Sequence, residues 1–295
     1  MWWPITGKVT RAHGKEPERP PVEQAALDTG RFVFQALPID IEVLNRRAVE
    51  RGDLEITALS LRTWNDVSER YRLTKCGSSF GDGYGPKIVS KPGGRVTDVE
   101  SLGKGVTIAV PGKRTTAFMV MSLLMGKEAA ATKIVEMPFD QVITAVVRGE
   151  ADAGLLIHEG QVTYEKAGLK LVVDVGAWWK ERTGLPLPLG VNVVRRDLDA
   201  MFGAGSVAEV GSLLQQSLDY ALKHREESLD YAMTFALESP DGKAITRERV
   251  DAYIDMYVNK WTVDMGAAGV AAVERLLGEG AARGLCPAPK MIDPI

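Results

Sequence analysis

The stretch that most constrains the fold is the short apolar run Ala153–Ile157, which ends abruptly in His158, Glu159 and Gly160. The run is too short for a helix and is typical of a buried strand. In open α/β sheets, ligands bind just beyond the carboxyl ends of the strands. His158 is therefore predicted at a sheet edge, where a base could meet a small molecule. The alternative is a structural histidine that is hydrogen-bonded at a strand end.

Length and composition set the broad class of the protein. The chain has 295 residues, 45% hydrophobic and 25% charged, which is ordinary for a globular protein of two domains or lobes. A net charge of −3 argues against a nucleic-acid partner. No apolar run approaches the about 20 residues of a membrane span, and the N-terminus lacks a signal-peptide pattern. We therefore expect a cytoplasmic protein without a membrane partner, and a homodimer is compatible with the sequence.

Neither a metal site nor a nucleotide cofactor is indicated. Cys76 and Cys286 are expected as reduced thiols, with a disulfide between them as the alternative. The histidines are too scattered to suggest zinc: His13, His158 and His224. The glycine-rich stretch GDGYGP at 81–86 does not have the GxGxxG spacing of a dinucleotide-binding turn. We therefore expect neither a zinc site nor a nucleotide cofactor.

Strand patterns alternate with helical patterns over the first two thirds of the chain, and helical stripes follow from Ser206 onward. Strands are predicted at 31–37, 54–59, 87–90, within 102–110, and at 134–136, 153–157, 171–173 and 191–194. Helices are predicted after Asp40, at 62–70, from Thr115, at 140–148 and in three stripes after Ser206.

This order of elements favours an α/β fold of two lobes joined by crossing strands. One lobe comprises residues 1–101 and 196–295, and the other comprises residues 102–195. The pair Trp178–Trp179 is predicted either to line a cleft wall or to pack in the interior, which is the commoner fate of tryptophan.

Thr115 and Thr116 lie at the start of a predicted helix. Free backbone N–H groups, the positive end of the helix dipole and two hydroxyls favour an anion there. Threonine is also a good N-cap, and capping is compatible with carboxylate binding. With Ser60, which follows the strand 54–59, and with His158, these residues are expected to face one interlobe cleft.

Several blocks occur in the same order in one enzyme family: DIEVLNRRAVERGDLEITALS, GDGYGPKIVS, IAVPGKRTTA, GLLIHEGQVTY and DVGAWWKERTGLPLPLGVNVVRRDL. Over roughly 28–256 the chain resembles the 1,4-dihydroxy-6-naphthoate synthases of the futalosine route to menaquinone. The resemblance implies a two-lobed fold like that of type 2 periplasmic binding proteins. It also implies a lyase that opens cyclic dehypoxanthinylfutalosine to 1,4-dihydroxy-6-naphthoate and dihydroxyacetone, with no metal or redox cofactor.

The resemblance also implies roles for particular residues. The histidine of the family's IHE motif is proposed as a proton acceptor, and that histidine corresponds to His158. The family's ligand-binding positions land on the ALS and TT segments: Ala58, Leu59, Ser60, Thr115 and Thr116. Glu159 receives no role, because on a strand it would point to the opposite face, whereas it could reach the cleft if the chain turns there.

The N-terminus departs from the family pattern. Family members usually begin with a strand and a loop like HSPDPDDAF, and MWWPITGKV looks like the continuation just after that loop. We therefore expect that the first strand and its acidic loop are missing, through a start codon placed at an internal methionine. A strand of the sheet and part of the cleft wall would then be absent.

Two other functions stay open at this stage. The fold implied by the resemblance is shared with solute receptors, so one alternative is a binding protein without chemistry. The lack of an export signal and the histidine in the cleft argue against it. The other is chorismate dehydratase, the sibling enzyme of the same pathway, although the GLPLPLG and IHEGQ blocks favour the naphthoate synthase.

Overall fold

The computed structural model describes residues 1–9, 23–103, 105–237 and 246–295, with the backbone alone at 128 and 130. His13 lies outside these residues. The strands are β1 Ile56–Ser60, β2 Tyr71–Leu73, β3 Ser79–Gly81, β4 Lys87–Ser90, β5 Thr107–Val110, β6 Lys133–Glu136, β7 Ala153–Leu156, β8 Lys170–Asp174 and β9 Leu187–Arg195.

The helices fall between and after these strands. They are α1 Trp3–Thr6, α2 Ile41–Glu50, α3 Leu61–Val67, α4 Thr116–Met125, α5 Val142–Arg148, α6 Gly160–Thr163, α7 Val175–Thr183, α8 Leu198–Phe202, α9 Ser206–Lys223, α10 Arg225–Leu237, α11 Arg247–Tyr257, α12 Lys260–Val263 and α13 Gly266–Ala282. Single 3₁₀ turns occur at Glu100–Gly103, Gly126–Ala131, Phe139–Gln141 and Tyr164–Ala167. No helix of the described residues is long and apolar enough to cross a membrane.

The strands form two sheets. In the first, the long strand β9 pairs antiparallel with β1 on one side and with β2 and β3 on the other. The second has the order β6-β5-β7-β4-β8, with β5 parallel to β6 and β7, and β4 antiparallel to β7 and β8. Every residue of β7 is buried, which is why the sequence there is a continuous apolar run.

Sheet membership differs from the predicted lobe limits. β4 was expected in the first lobe, but it pairs with β7 and β8 of the second sheet. β9 was expected in the second lobe, but it is the strand that joins the first sheet together. The chain therefore crosses between the sheets in the loop 82–86 and again in the loop 184–186, because strand pairing and not chain order decides which strands share a sheet.

The predicted stretch 31–37 is not a strand. It runs without regular structure, with Val33 98% exposed and Arg31 bound to Glu209 and to the Phe202 carbonyl of the neighbouring helices. The alternating side chains Phe32 and Phe34 pack beside each other instead. Alternation alone could not predict the lack of a strand here, because a strand also needs a pairing partner and none of the described strands pairs with 31–37.

The helix starts follow their sequence signals. Asp40 accepts a hydrogen bond from the Glu42 N–H (2.8 Å) at the start of α2, and Thr115 accepts one from the Phe118 N–H (3.1 Å) at the start of α4. Of the three predicted apolar stripes, those of α9 and α13 are buried along their length. In α11, Tyr257 is the one buried residue. Side-chain capping by Asp40 and Thr115 therefore fixes where α2 and α4 begin.

The two tryptophans of α7 pack in the interior. Trp179 is fully buried, and its Nε1 donates to the Pro186 carbonyl (3.1 Å). Trp178 is half-buried against the same core, which extends from Leu59 and Trp64 of the first lobe to Ile108 of the second sheet. The interior alternative is therefore the correct one for Trp179.

Gly176, in the first turn of α7, has no room for a side chain. A Cβ there would lie 2.0 Å from the carbonyl oxygen of Tyr84, in the crossing loop between the sheets. We expect Gly176→Ala to lower the free energy of unfolding by about 1–3 kcal/mol, because the added methyl forces α7 away from that loop.

Gly278→Ala in α13 is the matched control. A Cβ at Gly278 meets nothing within 4 Å, and alanine in a helix interior is about 0.5–1 kcal/mol more favourable than glycine. Urea unfolding measures both variants. An unchanged midpoint for Gly176→Ala would contradict the close approach of the two backbones.

Candidate active site

A cavity of about 190 Å³ lies between the two sheets and under α11. All six predicted site residues line it: Ala58, Leu59, Ser60, Thr115, Thr116 and His158. Gln161, Asn192, Tyr253 and Tyr257 also contribute to its walls. Within the described part of the chain, none of the lining residues is Asp, Glu, Lys or Arg. The residues that the sequence singled out therefore meet in one place, as the position of the strand ends predicts.

His158 lies two residues past the end of β7, in a left-handed turn with φ 53°. It is the one non-glycine residue with positive φ in the described part of the chain. Its ring packs edge-on against Phe139 (4.8 Å between centroids), and Nδ1 lies 3.4 Å from Tyr253 Oη. The imidazole is thus held from two sides at the cavity wall, and it is not turned inward among aliphatic side chains.

The turn at His158 is held by a buried glutamine. In the orientation of the Gln161 amide that satisfies its partners, the oxygen accepts from the His158 N–H (3.2 Å). The nitrogen then donates to the Gly85 carbonyl and to Tyr257 Oη (2.7 Å). Glu159 sits in the turn at the start of α6, where its carbonyl accepts from the Val162 N–H, and it does not line the cavity.

Ser60 is positioned by Asn45 of α2, which is fully buried. Asn45 Nδ2 donates to Ser60 Oγ (3.1 Å), and Asn45 Oδ1 accepts from the Ser60 N–H (2.9 Å). Ser60 lines the cavity, so its hydroxyl can meet a molecule bound there. Asn45 also donates to Glu42, whose carboxyl has its pKa raised by burial.

The two threonine hydroxyls are already bonded within the protein. Thr115 Oγ1 donates to the Gly112 carbonyl (2.8 Å) and caps α4. Thr116 Oγ1 donates to the Leu189 carbonyl (2.8 Å) of β9 and accepts from the Arg62 N–H (3.1 Å). The capping interpretation is therefore correct for Thr115, and an anion here would meet the first-turn N–H groups of α4 and not free hydroxyls.

Comparison with known proteins identifies the family. A family described as menaquinone biosynthesis matches residues 22–282. A 1,4-dihydroxy-6-naphthoate synthase of Thermus thermophilus is 42% identical over 252 residues, 85% of each chain. Its counterpart in Streptomyces coelicolor is 35% identical over 279 residues, 94% of this chain and 89% of that one.

The chain belongs to this menaquinone biosynthesis family. Among solved structures, a protein of Archaeoglobus fulgidus is 38% identical with a TM-score of 0.74, covering 86% of this chain and 87% of that one. The alkanesulfonate-binding protein of Xanthomonas axonopodis (TM-score 0.57, 14% identical) covers 84% of this chain and 80% of that one, and shares the fold alone. The two-lobed fold of periplasmic binding proteins, expected from the sequence, is thus confirmed.

Sequence reasoning gave no role in the site to several polar side chains at or next to the cavity. Tyr253 and Tyr257 were assigned only to the apolar stripe of a helix, and Asn45 only to the helix after Asp40. Gln161 stands in the IHEGQ block, two residues after Glu159, but the pattern of a strand end gave it no function. A polar residue inside an otherwise apolar stripe was the available signal for the tyrosines.

We expect Asn45→Ala to lower the free energy of unfolding by about 1–3 kcal/mol, because the Ser60 N–H is then buried without its acceptor. Ser60→Ala removes the hydroxyl alone and keeps that N–H bond. A double-mutant cycle by urea unfolding should give a coupling energy of at least about 0.5 kcal/mol between the two positions. Strictly additive effects would contradict the contact between Asn45 Nδ2 and Ser60 Oγ.

Proposed function

We propose that this chain is a 1,4-dihydroxy-6-naphthoate synthase. It acts as a carbon–carbon lyase that opens cyclic dehypoxanthinylfutalosine to 1,4-dihydroxy-6-naphthoate and dihydroxyacetone. The observation that carries the proposal is the meeting of His158, Ser60 and the start of α4 around one cavity. Support comes from two relatives of that name that match most of the chain.

In this proposal His158 is the general base. The reaction needs a proton taken from a carbon or hydroxyl near the bond that breaks, and a neutral imidazole is the usual protein base near neutral pH. The ring is held by Phe139 and Tyr253 on the wall of the cavity, so its approach to a bound molecule is fixed before binding.

The substrate carboxylate is assigned to the start of α4. The first-turn N–H groups of Thr116 and Ala117 have no carbonyl acceptor within the helix, and the helix dipole is positive at this end. Both residues line the cavity. The Ser60 hydroxyl, oriented by Asn45, supplies a further hydrogen bond.

Binding requires the cavity to widen. Its volume of about 190 Å³ is below the roughly 300–1,000 Å³ of sites that enclose a drug-sized ligand. Its walls come from β1 and β9 of one sheet, from the turn after β7 of the other and from α11, so these parts move apart as the substrate enters. Their return excludes water from the reaction.

We expect His158→Asn to lower kcat at least about a hundredfold with little change in KM. The change removes the base but leaves the N–H groups of Thr116 and Ala117 that would bind the carboxylate. The assay is release of 1,4-dihydroxy-6-naphthoate from cyclic dehypoxanthinylfutalosine. His224→Asn is the control, since that ring stacks on Tyr220 (3.9 Å between centroids) outside the cavity. Near-normal turnover of His158→Asn would remove His158 from the mechanism.

The same assay separates the other candidate functions. A receptor would bind the compound and return it unchanged, whereas an enzyme depletes it with time. Consumption of chorismate in place of cyclic dehypoxanthinylfutalosine would identify the chain as a dehydratase and overturn the proposal.

A further inference from the structure

Tyr253 of α11 contacts the imidazole of His158 at Nδ1. Its Oη lies 3.4 Å from Nδ1, and both side chains line the cavity. No described residue is recorded in a hydrogen bond with Nε2, so Nε2 is the ring nitrogen left for a ligand. Which nitrogen carries the proton therefore decides whether the ring can act as a base toward that ligand.

The chemistry of the two groups limits the choice. A neutral imidazole has one N–H and one bare nitrogen, and only the bare nitrogen accepts a proton. Burial raises the pKa of Tyr253 well above its usual value, with smaller contributions from Tyr257 and Glu159. The phenol therefore stays protonated at neutral pH, with lone pairs that can accept and one proton that it can give.

We propose that Tyr253 is a positioning residue that accepts a hydrogen bond from Nδ1–H of His158 and so holds the tautomer with a bare Nε2. Its own hydroxyl proton is then free for a molecule in the cavity. When Nε2 takes up a proton, the imidazolium Nδ1–H makes a stronger, charge-assisted bond to the same oxygen. The catalytic consequence rests on the proposed function, but the tautomer does not.

The helix that carries Tyr253 is also anchored by contacts that do not involve the His158 ring. The ring of Tyr253 packs on the ring of Tyr257 (5.2 Å between centroids), one turn further along α11. Arg225 of α10 forms salt bridges with Asp251 (2.5 Å) and Asp255 (2.6 Å), on the same helix as Tyr253. The phenol oxygen is thus presented by a fixed element, as the support of a catalytic side chain requires.

The test is ¹⁵N NMR of protein labelled at histidine, under alkaline conditions where the imidazoles are neutral. The chain has three histidines, so the signal of His158 is assigned by its loss in His158→Asn. In the wild type we expect Nδ1 to carry the proton and Nε2 to be bare. In Tyr253→Phe this preference should be lost, giving a mixture of tautomers or the Nε2–H form.

Tyr231→Phe is the matched control. Tyr231 lies on α10, where its hydroxyl bonds the main chain of Val9, and burial raises its pKa as well. Its loss should leave the tautomer of His158 unchanged. Unchanged signals of the other histidines show that each variant is folded, and the wild-type spectrum alone is decisive if Tyr253→Phe does not fold.

An Nε2–H tautomer in the wild type would overturn the inference, because Tyr253 would then be the donor to Nδ1. Turnover provides a separate readout: Tyr253→Phe should lower kcat about tenfold with KM nearly constant, which is the usual scale for a residue that orients a catalytic group. If the tautomer is as expected but His158→Asn keeps its activity, the general-base role fails while the inference about Tyr253 stands.

Discussion

The left-handed turn at His158 is the constraint on which the rest of the cavity depends. A φ of 53° is uncommon for a residue with a side chain and persists only where its surroundings hold it. Gln161 supplies that hold by accepting from the His158 N–H and reaching Tyr257 of α11. The backbone of the turn, the position of the imidazole and the placement of a C-terminal helix are therefore parts of one connected structure.

The hydroxyl of Thr116 makes a further contact between the two sheets. It joins the Leu189 carbonyl of β9 to the first turn of α4, which follows β5 of the other sheet. Thr115 instead bonds only within its own turn, to Gly112 and Phe118. Separation of the walls to admit a substrate would lengthen this bond of Thr116, whereas the cap of Thr115 lies within one turn and would be unaffected.

Much of this site could be predicted from the sequence because its parts are local. A short apolar run ending in a polar residue marks a strand end, and threonine before an apolar stripe marks a helix start. The contact of Tyr253 with His158 spans 95 residues, and no local pattern records which face of a helix meets a distant turn. The same limit explains the segment 31–37, whose residues alternate although none of the described strands pairs with it. It also explains the lobe limits, which depend on the long-range pairing of β4 and β9.

The described residues that line the cavity contribute hydroxyls, amides and one imidazole, but no side chain of permanent charge. A carboxylate held there is neutralised only by helix N–H groups and hydroxyls, so its field persists across the cavity. In the proposed mechanism His158 becomes a cation when it takes up a proton, and the bound carboxylate is then its counter-ion. In that mechanism the substrate carboxylate would stabilise the protonated base that the reaction creates, a role that a buried Asp or Glu has in many other enzymes that use histidine. A neutral tyrosine oxygen is sufficient for the remaining task, which is to hold Nδ1–H.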